Sequence, residues 1–251
     1  MAESSDFPYD GELFPAQHKK YQELVFFVPF FDGQKKQLKR HISYVNKLGF
    51  DAFTFRLWDF KQSPIRSLFS SSGPVGVRNI IADQIEGLLN EFSQNKIIFS
   101  FSNPSAAAIE ACAKRKCHDI KAMICDSGPS ANLTRSTIQL YSLDKFPNHK
   151  ILATMTGVFL ASLWNPQRHH DLQFYLDQLP KDFPILSIRG WKDPLISPRE
   201  IDDVFEKSGQ INWQKLSLME AGHLNGLKDF PDEYTPIVSR FLERHALLAT
   251  S

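Results

Sequence analysis

Short apolar runs alternate with helical patterns along most of the chain, and this alternation limits the possible folds more than any other feature. The runs are rich in β-branched and aromatic residues and are bounded by turn-forming residues, as buried strands are. Six segments fit this description, the last with partial alternation: Leu24–Phe30, Ala52–Leu57, Lys96–Phe101, Lys121–Cys125, Pro184–Arg189 and Gln214–Met219. Strand and helix repeats of this kind predict an α/β fold, with a mostly parallel sheet flanked by helices.

The helical patterns between these runs place apolar residues on one stripe of each segment. The first pattern stops at Gly49, a typical helix end, and the third carries three consecutive alanines that let a helix pack closely on the sheet. The predicted helices are Lys35–Leu48, Val77–Phe92, Ser105–Ala113, Pro198–Lys207 and Tyr234–Leu247.

The interval between Asp126 and Phe183 interrupts the alternation, because it contains no strand pattern. Its helical patterns are Leu133–Leu140, Ile151–Trp164 and His170–Leu179. A connection this long in a compact domain is usually functional. We therefore predict one core domain, residues 1–126 and 184–251, with a small helical lid inserted at 127–183 over the strand ends.

Composition excludes several classes of function. The formal net charge is +1 and the basic residues lie in scattered short clusters, so no nucleic-acid partner is expected. Cys112, Cys117 and Cys125 form no CxxC pair, and the histidines have no HxxxH spacing, so we expect buried free thiols and neither a metal nor another cofactor.

The chain also lacks the sequence marks of export or of a membrane span. Its first residues have no basic segment followed by an apolar one, so no secretory signal is predicted. The longest apolar run, Ile151–Trp164, is shorter than the roughly 20 residues needed to cross a bilayer. We therefore expect a cytoplasmic protein without a transmembrane segment.

Three residues near predicted strand ends carry groups suited to acyl transfer. Ser102 follows the strand Lys96–Phe101, Asp193 lies in Gly190-Trp-Lys-Asp-Pro, and His223 ends Ala221-Gly-His. A hydroxyl, a carboxylate and an imidazole in this chain order can form a nucleophile, an orienting acid and a base. We predict that these three residues form a catalytic triad.

The order and spacing of five segments resemble the α/β-hydrolase superfamily from about residue 24 to the last helix. The segments are Val28–Gly33, Gly49–Phe53, Ile97–Ala106, Gly190–Pro194 and Ala221–His223. Two short tracts, Phe99–Asn103 and Cys125–Pro129, are also similar to a hydrolase-fold group related to transmembrane protein 53.

The resemblance implies that the nucleophile sits on a sharp turn between a strand and a helix, usually within Gly-x-Ser-x-Gly. Here Ser100 and Pro104 occupy the glycine positions around Ser102, which departs from the family pattern. Ser100 is small, and Pro104 can begin a helix because its missing N–H would have no partner there.

The resemblance also implies an oxyanion hole of two backbone N–H groups. Asn103 would supply one, and Phe30 or Phe31 the other, at a position where the family typically has His-Gly. The alternative for the two phenylalanines is that they are core residues at a strand end.

Other assignments of the catalytic residues remain open. Ser105 is a second candidate nucleophile, Ser102 could simply cap a helix, and Asp193 could simply form an Asx turn. Asp126, at the end of the strand Lys121–Cys125, is the second candidate acid. The remaining histidines, including the pair His169-His170, are expected on the surface.

These features predict a serine hydrolase that acts on an ester or thioester through an acyl-enzyme. Apolar residues of the predicted lid suggest a substrate with an apolar acyl group: Ile151, Leu152, Met155, Val158, Phe159, Leu160, Leu163 and Trp164. The alternatives are an inactive hydrolase-fold binding protein, favoured by the missing elbow glycines, and an acyltransferase with the same triad.

Overall fold

Among the residues that the structure describes, seven strands lie side by side in one sheet. The computed structural model describes residues 8–59, 69–70, 73–74, 76–165 and 172–249. From one edge of the sheet to the other, its strands are β1 Glu12–Phe14, β3 Asp51–Thr54, β2 Leu24–Val28, β6 Lys96–Phe101, β7 Ile120–Asp126, β8 Phe183–Gly190 and β9 Ile211–Leu218. A separate antiparallel ribbon joins β4 Phe69–Ser70 and β5 Gly73–Pro74.

The sheet confirms the predicted α/β class with a mostly parallel sheet flanked by helices. Every neighbouring pair from β3 to β9 is parallel, and only β1 runs antiparallel, against β3. The sequence did not predict β1, because Glu12–Phe14 is a short edge strand that is mostly exposed and contains no apolar run. The partial alternation of β9 reflects its place at the other edge, where most of its residues are at least partly exposed.

Most helices in the described residues correspond to predicted ones, two with the predicted bounds and the others with shifted ends, whereas the short helix Gly226–Asp229 was not predicted. The helices are α1 Lys35–Leu48, α2 Val77–Asn90, α3 Ser105–Lys114, α4 Leu133–Leu140, α5 Lys150–Trp164, α6 Leu172–Leu176, α7 Pro198–Phe205, α8 Gly226–Asp229 and α9 Pro231–Arg244. A π-helical turn, Tyr141–Lys145, directly continues α4. The start of the predicted helix His170–Leu179 lies outside the described residues, and so does the pair His169-His170.

Two apolar layers hold the helices on the sheet. Side chains of a strand alternate between its two faces, so Phe26 and Phe27 of β2 enter different layers. The first layer includes buried residues of α2, α3, α6 and α7, and the second includes those of α1, α8 and α9. The sheet is therefore covered on both faces, which leaves the carboxyl ends of the parallel strands as the natural place for a site.

The segment between β7 and β8, residues 127–182, is called here the β7–β8 connection. It contains α4, the π-helical turn, α5 and α6. One stripe of α5 is apolar and exposed, with Ile151, Met155 and Phe159 each more than half exposed. Within the described ranges, no helix has both the length and the apolar content that a membrane span requires.

His41 is buried, which corrects the expectation that the histidines other than His223 lie on the surface. Its ring packs edge-on against Phe99, Phe101 and Tyr234, with ring centroids 5.7, 4.8 and 6.1 Å away. Neither ring nitrogen has a hydrogen-bond partner in the described part of the chain. Burial lowers the pKa of His41 to about 3, so this imidazole is neutral in the folded protein.

His41 should make the protein sensitive to acid. The pKa of His41 is lower in the folded state than its ordinary value of 6.5, so its contribution to stability is present above pH 6.5 and lost toward pH 3. Each pH unit in this window costs about 1.4 kcal/mol. The free energy of unfolding, measured with urea, should fall between pH 7.5 and pH 5 in both the wild type and His41→Leu. We predict that this fall is about 2 kcal/mol smaller in His41→Leu than in the wild type. Equal losses in the two proteins would contradict this account.

Candidate active site

The parallel strands bring the predicted chemical groups to one edge of the sheet. Ser102 directly follows β6, Asp126 ends β7, Asp193 follows β8 and His223 follows β9. The strands β6 to β9 are consecutive neighbours in the sheet and share one direction. Their carboxyl ends therefore meet at one place, although 121 positions of sequence separate Ser102 from His223.

Ser102 occupies a tight turn between β6 and α3. Its φ of 55° lies in the left-handed region, which a non-glycine residue adopts at a cost. Its N–H donates to the carbonyl of Asp126 at 2.8 Å, and its own carbonyl accepts from the N–H of Ser105 at 3.1 Å. These bonds offset the cost of the backbone conformation and hold the hydroxyl-bearing residue at the tip of the turn.

His223 lies between Ser102 and Asp193. Its Nε2 is 3.1 Å from Oγ of Ser102, and its Nδ1 is 2.7 Å from Oδ2 of Asp193. Both contacts are within hydrogen-bonding distance. The structure thus brings together the three residues that the sequence predicted as a triad.

Asp193 is held by the loop that follows β8. Its Oδ1 accepts from the N–H groups of Leu195 at 2.8 Å and Ile196 at 3.0 Å, while Oδ2 faces His223. The Asx-turn and the contact with His223 therefore coexist, one on each carboxylate oxygen. The side chain of Asp193 is fully buried, so its direction is set by these partners and not by solvent.

Gly190 lets the loop of Asp193 pack against the loop of His223. A Cβ at Gly190 would lie 2.3 Å from the carbonyl oxygen of Ala221 and 2.6 Å from that of Gly222. The N–H of Lys192 donates to the carbonyl of Ala221 at 2.9 Å, which joins the two loops. The Gly190-Trp-Lys-Asp-Pro motif therefore has a steric reason for its glycine.

Solved structures with similar architecture come from several hydrolases. An esterase of Pyrococcus furiosus superposes with a TM-score of 0.66 at 14% identity, over 95% of this chain and 92% of that one. A monoacylglycerol lipase of Paleococcus ferrophilus gives 0.59 at 13% identity, over 94% and 98%. An α/β hydrolase from a Medee basin deep-sea metagenome library gives 0.61 at 14% identity, over 96% and 96%. The chain has the α/β-hydrolase fold.

Comparisons of the sequence itself give no further information. No family model matches the chain, and no curated protein matches it significantly. The structural similarity establishes the α/β-hydrolase fold. Because the identities are low, any functional conclusion must come from the residues at the strand ends.

The residues on either side of Ser102 fill the elbow of this α/β-hydrolase fold without glycines. Ser100 is fully buried in β6 and its Oγ donates to the carbonyl of Ile124 at 3.0 Å. Pro104 adopts helical dihedrals immediately before α3, and its carbonyl accepts from the N–H of Ala108. Proline at this position fits because no N–H partner is needed there.

Gly128 allows the segment after β7 to pack closely against the backbone of Ser102. A Cβ on Gly128 would lie 2.3 Å from the carbonyl oxygen of Ser102 and 2.8 Å from its Cα. The glycine that lets a neighbouring segment pack on this turn therefore lies in the loop just after β7. The sequence did not predict this packing role of Gly128, although the run Asp126-Ser-Gly-Pro directly follows an apolar strand.

In the described part of the chain, no hydrogen bond joins His223 to the second candidate nucleophile, Ser105, or to the second candidate acid, Asp126. Ser105 is fully buried in the first turn of α3. Asp126 accepts from the hydroxyl of Tyr234 at 2.7 Å and from that of Ser127 at 2.9 Å. Burial raises the pKa of Asp126 to about 6, and its two hydrogen bonds oppose that rise.

The predicted oxyanion donors lie at the ends of β2 and β6. Within the part of the chain that the structure describes, the backbone N–H groups of all three predicted donors, Phe30, Phe31 and Asn103, have no acceptor. Phe30 packs against the second core layer, whereas the ring of Phe31 is partly exposed and contacts Trp164 of α5 edge-on at 5.3 Å between centroids. The core alternative therefore describes the ring of Phe30, and the ring of Phe31 contacts the β7–β8 connection. The backbone N–H groups of both residues stay candidate donors.

Asn103 ties the elbow to the β7–β8 connection. Its Nδ2 donates to Oγ of Ser136 in α4 at 3.0 Å, and its Oδ1 accepts from the N–H of Ser130 at 3.1 Å.

The described residues include no group of three or more His, Cys, Asp or Glu side chains that could hold a metal ion. The chemistry available at this edge is that of a hydroxyl, an imidazole and carboxylates.

Gly128→Ala should damage the elbow more than an ordinary glycine substitution. The added methyl meets backbone of Ser102, which cannot move aside as a flexible side chain could. We expect a loss of about 1–3 kcal/mol in unfolding free energy and at least a tenfold slower reaction of Ser102 with a fluorophosphonate. Gly87→Ala is the control, because a Cβ at Gly87 meets nothing within 4 Å. Wild-type stability and reaction rate in Gly128→Ala would refute this role.

Proposed function

We propose that this protein is a serine hydrolase with Ser102 as nucleophile, His223 as general base and Asp193 as the orienting acid. The observation that carries the proposal is the continuous chain of contacts from Ser102 Oγ through both nitrogens of His223 to Asp193, at 3.1 and 2.7 Å. This is the arrangement that activates a serine hydroxyl for attack on a carbonyl carbon.

In the first step, Ser102 Oγ attacks the carbonyl carbon while His223 Nε2 takes the hydroxyl proton. For this, Nε2 must be free of its proton and Nδ1 must carry one, and Oδ2 of Asp193 is placed to accept from Nδ1–H. The carboxylate also stabilises the imidazolium that forms. Because the other oxygen of Asp193 is held by two backbone N–H groups, the acid keeps its direction throughout this step.

The tetrahedral intermediate carries a negative oxygen that needs hydrogen-bond donors. The proposed donors are the backbone N–H groups of Asn103 and Phe31. Imidazolium then protonates the leaving group, which departs and leaves the acyl group on Ser102. Water, activated by His223, attacks this acyl-enzyme and releases the acid, which restores Ser102.

The proposed substrate is an ester or thioester with an apolar acyl group. The ring of Phe31, a proposed oxyanion donor residue, contacts Trp164 of α5 edge-on, and α5 also carries an exposed apolar stripe. Residues 127–183 would act as a helical lid on a core of residues 1–126 and 184–251. The similar solved structures include an esterase and a monoacylglycerol lipase, which fits this substrate class.

Fluorophosphonate labelling tests the nucleophile. We predict that Ser102→Ala abolishes labelling and lowers the hydrolysis of 4-nitrophenyl butyrate by about ten-thousandfold, because the attacking oxygen is lost. Ser105→Ala is the matched control, since Ser105 is the other serine of the elbow region and, among the described residues, has no hydrogen bond to His223. It should label as the wild type does.

Three results would contradict or redirect the proposal. Labelling that persists in Ser102→Ala would refute the assignment of the nucleophile. No labelling and no hydrolysis by the wild type would favour an inactive binding protein with this fold. Transfer of the butyryl group to an added alcohol in preference to water, seen in the products, would favour an acyltransferase.

A further inference from the structure

The segment Asp126–Gly128 contacts both halves of the proposed catalytic machinery. On one side, the carbonyl of Asp126 accepts from the N–H of Ser102, and Gly128 packs on the Ser102 backbone. On the other side, Oγ of Ser127 accepts from the N–H of Leu224 at 3.1 Å. Leu224 is the residue after His223, so this bond fixes the backbone that carries the imidazole.

Ser127 is held in place for this contact from both its backbone and its side chain. Its φ is 55°, in the left-handed region, and its N–H donates to the carbonyl of Ile188 in β8 at 2.8 Å. Its hydroxyl proton is directed to Oδ1 of Asp126. The lone pairs of Oγ are therefore left to accept from Leu224, and the hydroxyl has a fixed orientation.

Asp126 is in turn fixed from the opposite side. Its Oδ2 accepts from the hydroxyl of Tyr234, a fully buried residue of α9. These hydrogen bonds, called here the relay, run from Tyr234 through Asp126 and Ser127 to the loop of His223. All three side chains are buried. A buried hydrogen-bond chain with every member paired gives each one a single geometry.

The loop that this relay supports is itself unusual. Leu224 has a φ of 57°, a conformation that a leucine adopts only when its surroundings impose it. The Ser127 hydroxyl supplies the partner for its N–H at the point of strain. Without that partner, the backbone next to His223 is free to relax, and the distance of 3.1 Å between Nε2 and Ser102 Oγ is no longer fixed.

We propose that Ser127, oriented by Asp126, is a positioning residue that holds His223 in register with Ser102 by anchoring the strained Leu224 backbone. This inference rests on the proposed function, because it assigns a role in the same reaction. Neither residue touches the reacting atoms. Their effect is on the fraction of molecules in which imidazole and hydroxyl are aligned, so they act on kcat and not on substrate binding.

The test compares Ser127→Ala with Ser187→Ala. Ser187 is also a fully buried serine on an adjacent strand, and its Oγ accepts from Nε1 of Trp213 at 2.8 Å, away from the loop of His223. Both variants lose one buried hydroxyl, but only Ser127→Ala loses the anchor. The assay is 4-nitrophenyl butyrate hydrolysis at pH 8, where Asp126, with a pKa of about 6, is ionised.

We expect Ser127→Ala to lower kcat about tenfold with KM within twofold of the wild type, and Ser187→Ala to change neither. The exchange of the Leu224 amide hydrogen, followed by NMR, should be about tenfold faster in Ser127→Ala and unchanged in Ser187→Ala. If Ser127→Ala does not fold, Ser127→Gly removes the same hydroxyl and suits the left-handed backbone.

Wild-type kcat in Ser127→Ala, or an equal loss in Ser187→Ala, would overturn the proposal. So would a Leu224 amide that remains protected without the Ser127 hydroxyl. The exchange measurement does not depend on turnover. If the wild type neither hydrolyses the ester nor reacts with a fluorophosphonate, the proposed function fails, while the exchange still decides whether Ser127 anchors the loop.

Discussion

The rest of the site depends on the segment Asp126–Gly128 at the end of β7, which is called here the β7 joint. β7 lies between β6 and β8 in the sheet, and the residues at its end contact the turn after β6, the strand β8 and the loop after β9. Asp126 and Gly128 fit against Ser102, and Ser127 reaches the loop of His223. A larger residue at Gly128 would separate the elbow from this joint. The distances between hydroxyl, imidazole and carboxylate follow from how closely these turns can pack.

This joint explains how an elbow without glycines can still form. In Gly-x-Ser-x-Gly the small residues flank the nucleophile within its own turn, and their purpose is to relieve crowding around a left-handed serine. Here Ser102 has the same left-handed backbone, between Ser100 and Pro104. Close packing against this turn is allowed instead by Gly128 in the loop after β7, and the missing glycines are therefore not by themselves evidence of a decayed site.

The sequence predicted the features that depend on local pattern. Central strands such as β6 are buried on both faces and so are continuous apolar runs, and the Gly190 and Ala221 motifs marked the loops of Asp193 and His223. β1 escaped prediction because a short exposed edge strand needs no apolar pattern. His41 was placed on the surface because its burial depends on Phe99, Phe101 and Tyr234, which are distant in sequence. The role of Gly128 was missed for the same reason.

A crystal structure of the protein after reaction with a fluorophosphonate would show whether Ser102 is the nucleophile of this site. We expect phosphorus bonded to Oγ of Ser102, with the phosphoryl oxygen within about 3 Å of the N–H groups of Asn103 and Phe31. His223 should remain between the adduct and Asp193. An adduct on another residue, or a phosphoryl oxygen directed away from both N–H groups, would contradict the proposed site.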